Sequence, residues 1–192
     1  ICSEEEESSR QMTQRLIEMG HRRIGLVGYE AVNRPSQERF SGALRAMQEA
    51  GLVGAGETLD EPDELMVSQM TLDEAIQNVC DWLAGPNPPT ALVVVNSDIA
   101  LSLYRPIMSM GLSIPGDVSI IGFDDHSWCR RIVPSLSVCA ADECQIAQDS
   151  LDMLMELIEN PNLSPKGCPA PRILIERESS GPAPASSRRL GG

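Results

Sequence analysis

The chain has 192 residues and a formal net charge of −13, with 42% hydrophobic and 22% charged residues. That length buries a proper core in one domain or two small lobes, and the composition is that of a folded globular chain, which excludes disorder throughout. With an acidic surface and only two Trp, two Tyr and two Phe, it does not grip a phosphate backbone by charge or stack bases on an aromatic platform.

The chain opens on Ile1-Cys2-Ser3 and the run Glu4 to Glu7, which lacks the basic start and apolar stretch of a signal peptide. Without an initiator Met, it is expected to begin inside a longer protein. A helix is predicted over 8–19, with Met12, Leu16 and Met19 on one face and Gly20 as its stop. Ile24 to Gly28 reads as a short buried strand. Residues 36–50 make the next helix, with Ser36 as N-cap, Phe40, Leu44 and Met47 inward, and Gly51 at the end. An acidic stretch at 57–64 leads to a brief strand at 65–68. Ser68 or Thr71 then caps a helix carrying Leu72, Ala75, Ile76, Val79 and Leu83.

Gly85 to Pro89 breaks that helix. Ala91 to Val95 follows, apolar on both faces as a central parallel strand requires. A helix from about 98 to 110 ends at Gly111 and contains Pro106, where a kink is expected. Val118 to Phe123 is another buried strand, 142–159 a long amphipathic helix, 160–171 a loop and 172–176 a last strand. The tail 181–192 is expected to lack fixed structure. Alternating strands and helices with short connections predict an α/β fold, a parallel sheet flanked by helices.

No apolar run approaches about 18 residues, so no membrane span is expected. The six cysteines, at 2, 80, 129, 139, 144 and 168, form no C-x-x-C pair. A zinc ribbon is therefore excluded, and reduced thiols in a cytoplasmic protein are expected. Neither G-x-G-x-x-G nor G-x-x-x-x-G-K-[ST] occurs, which removes those nucleotide cradles. His126 beside Asp124, Asp125 and Ser127 suggests a triad, but neighbours in sequence do not converge as nucleophile, base and orienter. The Glu4–Glu7 run reads as a solvated helix entrance rather than a metal site. Cys129 has no evident base. No catalytic residue, metal site or cofactor is assigned.

Polar residues do gather at the carboxyl ends of the predicted strands. Asn96 ends the Ala91–Val95 strand, Asp124 and Asp125 end the Val118–Phe123 strand, and Asn33, Arg34 and Arg39 follow the first buried strand. Ligands of open α/β sheets bind at that edge. An amide, a carboxylate and a guanidinium there suit a polyhydroxylated or heterocyclic small molecule held without chemistry. The plainer alternative has Asp124 capping a turn and Arg39 pairing with Glu30 or Glu38 on the surface.

Six segments then resemble LacI/GalR-type transcriptional regulators: Leu16 to Gly28 (with Gly20-His21-Arg22-Arg23-Ile24), Arg39 to Leu44, Thr90 to Ala100, Gly111 to Asp125, Pro134 to Val138, and Arg177 to Pro182. The resemblance implies the periplasmic-binding-protein-like type I fold, represented by the second lobe plus part of the first. Residues 1–137 would be the second lobe, 138–180 a crossover and return segment, and 181–192 a flexible tail. The helix-turn-helix head and most of the first lobe would be absent. It further implies a small-molecule effector held by Arg39, Asn96 and Asp124, operator DNA reached only through the missing head, no membrane, and a homodimer involving the helix at 99–110. The alternative is a solute-binding protein of a transporter. Three positions depart from the family pattern: Ser97 stands where an Asp is usual, Met70 where an aromatic often stacks, and Ala141 where a polar residue is expected.

Overall fold

The computed structural model describes residues 2–29, 34–53, 67–68, 71–164, 169–170 and 172–185. Asn33, the stretch 57–64, Met70, Cys168 and residues 186–192 lie outside the described residues. In chain order the elements are β1 (Cys2–Ser3), α1 (Glu5–Glu18), β2 (Ile24–Tyr29), α2 (Arg34–Glu49), β3 (Val67–Ser68), α3 (Leu72–Ala84) and β4 (Ala91–Val94). They continue with α4 (Ser97–Ser109), β5 (Ser119–Phe123), β6 (Ser137–Ala141), α5 (Glu143–Glu159), β7 (Pro169–Ala170) and β8 (Arg172–Ile175).

Six strands form one sheet in the order β3-β2-β4-β5-β6-β8, parallel except for β8, which runs antiparallel to β6. β1 and β7 pair separately. Every residue of β4 and β5 is buried, because helices cover both faces of a parallel sheet and leave no wet side. Leu26, Leu92, Ile120, Ile121 and Phe123 are fully enclosed and form the centre of the core. Thr71 is the N-cap of α3, and its side chain and that of Glu74 bond each other's backbone N–H groups in a capping box. α1 lies against α2 at Gly42, where a Cβ would sit 2.0 Å from the Glu6 carbonyl oxygen.

The sequence-based elements hold in order, with several corrections: Ser36, expected as an N-cap, lies inside α2, and the short strands β1 and β7 are not anticipated, β7 falling in the expected loop 160–171. Helix α1 begins at Glu5 rather than 8, and Glu5 is only 2% exposed. The solvated entrance predicted for the glutamate run is wrong at that residue, because two arginines reach its carboxylate. Residues 137–141 form β6, a strand the sequence reading did not assign, since Ser137, Cys139, Ala140 and Ala141 carry no β-branched signal. Pairing on both edges, to β5 and to β8, makes them a strand.

The tail is also more ordered than expected at its start. Gly181 N donates to Ser119 Oγ at 3.1 Å and Ala183 N donates to the Met19 carbonyl at 2.9 Å. Helix α4 runs on through Pro106. Helix α5 buries none of its residues, and Leu151, Leu154, Met155 and Ile158 are each at least 50% exposed. The described residues place nothing over that apolar row.

Candidate functional site

Strand β5 ends at Phe123, and the next residue, Asp124, takes a positive φ of 70°. Asp tolerates this left-handed conformation better than most side chains, but it remains sparsely populated and marks a backbone held by its surroundings. Asp124 N donates to the Cys139 carbonyl on β6 at 3.0 Å, which turns the chain and presents the carboxylate at the carboxyl edge of the sheet.

Arg39, on the second turn of α2, points to the same place. Its Nε donates to Glu5 Oε2 at 2.7 Å, one terminal nitrogen donates to the Val95 carbonyl at 2.5 Å, and the same nitrogen stands 3.7 Å from Asp124 Oδ2. The guanidinium lies 4.2 Å over the Phe123 ring, a cation–π contact away from water. The surface pairing with Glu38 belongs instead to Arg34. Arg39 itself is buried.

Two residues that sequence reasoning missed complete the cluster. Arg172, the first residue of β8, donates through one terminal nitrogen to Asp124 Oδ1 at 2.9 Å, and through Nε and its other terminal nitrogen to Glu5 Oε1 at 3.1 and 2.8 Å. Glu5 thus bridges both guanidiniums. Two cations and two anions balance, as buried charges must. Burial opposes the charge on Arg172, yet its bonds to Asp124 and Glu5 hold its pKa above the ordinary value.

Asp125 extends the edge outward. Its Oδ2 accepts from Arg177 and from Arg130, both at 2.8 Å. Burial works to raise its pKa, but those two arginines hold it below the usual carboxylate value. Its Oδ1 is buried with no partner among the described residues. Beside these groups lies a cavity of about 620 Å³, lined by Asp124, Asp125, Arg130, Arg172 and the start of α5, within the usual range for small-molecule sites.

The structure therefore brings Arg39 and Asp124 together. Arg39 stands behind the Asp124–Arg172 pair and does not itself line the cavity. Asn96 sits at the same sheet edge, but its Oδ1 accepts from Ile99 N at 2.8 Å and caps α4, and it too is absent from the cavity wall. His126 is exposed, while Cys129 is buried with its thiol pushed up chiefly by burial. Among the described residues no three His, Cys, Asp or Glu side chains are placed to hold a metal ion, and no helix is long and apolar enough to cross a membrane.

Residues 13–180 match the family model described as a periplasmic binding protein-like domain. The chain belongs to that family. Within this periplasmic-binding-protein-like group its relatives are regulators. It is 29% identical over 150 residues to the ribose operon repressor of Haemophilus influenzae, covering 78% of this chain and 43% of that one. It is 31% identical over 172 residues to a probable opine utilization operon repressor of Rhizobium rhizogenes, covering 83% and 82%. Among solved structures, a LacI family transcriptional regulator from Enterococcus faecium with bound ribose superposes with a TM-score of 0.79 at 25% identity, covering 94% of this chain and 64% of that one. The chain spans less than half the length of the ribose operon repressor.

Proposed function

We propose that this chain is the effector-sensing portion of a LacI/GalR-type transcriptional regulator. A small hydroxylated molecule enters beside Asp124, bridges two lobes and biases their closure, which alters operator binding. One observation carries the reading: Arg39 and Arg172, far apart in sequence, each reach both Glu5 and Asp124 at the carboxyl edge of a parallel sheet, next to a cavity of ligand size. Asp124 accepts hydroxyl protons from the guest, Arg39 and Arg172 set the position of that carboxylate, and the Asn96 amide faces the same edge. The guest is held and not transformed, since neither buried Cys129 nor exposed His126 gives a nucleophile with a base.

Residues 1–137 belong to the second lobe; of the segment 138–180, β6 and β8 join its sheet, and α5 between them reaches toward the first lobe. The uncovered apolar row on α5 supports this division, because that row is the surface a first lobe would bury. DNA is read by a helix-turn-helix segment of the longer protein, which acts as a cytoplasmic homodimer. Leu101 and Met108, exposed on α4, support an interface there. The solute-binding alternative is disfavoured because the relatives are named as operon repressors.

The test is operator binding by the longer protein, followed by gel shift against a panel of neutral polyols and sugars that includes ribose. A sequence-specific complex whose affinity one of these compounds changes supports the reading. A protein that binds such a compound but no DNA fits the transporter role instead.

A further inference from the structure

We propose that the chain carries a second small-molecule site, at the end of the sheet opposite Asp124, built for an organic anion with a flat apolar body. The strands run parallel, so Ile24 at the start of β2 and Pro89 just before β4 mark the amino edge. A cavity of about 620 Å³ opens there, between the entry to β2, the residues after α2 and the turn at 85–89. Its volume lies within the range of small-molecule pockets. The site is separate from the Asp124 cluster and does not depend on the effector reading.

Two guanidiniums give the cavity its charge. Arg22 donates through one terminal nitrogen to the Ile17 and His21 carbonyls at 2.9 and 3.0 Å, and Arg23 donates through Nε to the Pro88 carbonyl at 2.8 Å. Those bonds fix both side chains. They leave the two terminal nitrogens of Arg23, and the Nε and second terminal nitrogen of Arg22, without a carboxylate among the described residues. Exposed or half-buried Arg10, Arg15 and Arg45 each pair with a glutamate. Asp81 also lines the cavity, and it accepts from Gln77 at 2.9 Å. Among the described lining residues, one carboxylate stands against two guanidiniums. The fork of terminal nitrogens on Arg23 matches the two oxygens of a carboxylate or phosphate.

The remaining wall is apolar and includes Met47, Leu52 and Trp82. Trp82 is held tightly. A Cβ on Gly25 would lie 2.4 Å from its ring, so only glycine there lets the indole rest on the strand. A rigid indole beside paired cations favours a flat ring that carries a negative group.

The experiment uses the full chain with Trp128→Phe, which leaves Trp82 as its only tryptophan. Its emission is followed during titration with benzoate and with phenyl phosphate, and with benzamide as the uncharged control. The proposal expects a saturable change with at least one anion at a Kd below about 1 mM, and binding of benzamide at least about ten-fold weaker. Asn87→Glu, at an exposed position lining the cavity, brings a carboxylate to the guanidiniums and lowers anion affinity by about ten-fold or more. Arg22→Gln/Arg23→Gln does the same with an unchanged thermal transition. If that double variant unfolds, Asn87→Glu decides alone. Failure of both anions to saturate, equal binding of benzamide, or parental affinity in Asn87→Glu overturns the proposal.

Discussion

Arg172 and Asp124 share an ion pair of 2.9 Å although 48 residues separate them in sequence. The same guanidinium also grips Glu5, and Glu5 grips Arg39. The first turn of α1, the second turn of α2, the end of β5 and the start of β8 are therefore tied at one point. A carboxylate held this way has its orientation set before any guest arrives, which lowers the ordering cost of binding.

Glu5 holds that cluster together. Glu5→Ala leaves two guanidiniums facing each other in a buried space. It is expected to destabilise the chain by about 3–5 kcal/mol, the usual cost of stripping one partner from a buried pair. Urea unfolding measures this, and a loss below about 1 kcal/mol, the range of a surface pair, contradicts it.

Gly42→Ala tests the α1–α2 contact. The added Cβ meets the Glu6 carbonyl oxygen at 2.0 Å and Arg10 N at 3.0 Å, both backbone atoms that cannot rotate away. The helices must separate, at a cost of about 1–3 kcal/mol. A shift of the urea midpoint to lower concentration with an unchanged slope reports it.

Thr71→Ala removes one side of the capping box on α3. The expected loss is about 1 kcal/mol, read as a lower thermal midpoint. Thr71→Ser retains the hydroxyl and should restore most of it.

His21 supplies a pH dependence. Its Nε2 donates to the Gly181 carbonyl at 3.0 Å, so neutral Nδ1 accepts from the Thr90 hydroxyl at 2.9 Å. Burial, only partly offset by the Gly181 bond, lowers its pKa from the ordinary 6.5. The unfolded chain therefore takes up a proton first as pH falls through that value. Stability contributed by neutral His21 is complete well above 6.5 and declines as pH falls below it. His21→Asn should flatten the urea midpoint across that window, and an equal slope in parent and variant contradicts the assignment.

Much of this fold was readable from residue patterns. The apolar runs Ile24–Val27, Ala91–Val94 and Ser119–Phe123 became the central strands, because burial on both faces leaves a continuous hydrophobic signature. β6 was not readable, since its small residues become a strand only through their two neighbours. At the site, strand-end reasoning located Arg39 and Asp124. It could not find Glu5, which differs from Glu4, Glu6 and Glu7 only in facing α2 and β8. Arg172 stood at the head of a short predicted strand, and its partners lie 48 and 167 residues away. Asn96 was placed at the correct edge, while its role as the cap of α4 follows from the local Asn96–Ile99 spacing.

The most direct measurement is fluorescence anisotropy of labelled operator bound to the longer regulator, titrated with whichever panel compound releases it. Asp124→Ala and Arg39→Ala should each abolish that release while operator affinity without the compound stays within about two-fold of the parent. Release at parental concentrations in both variants would show that the guest is gripped somewhere other than this edge of the sheet.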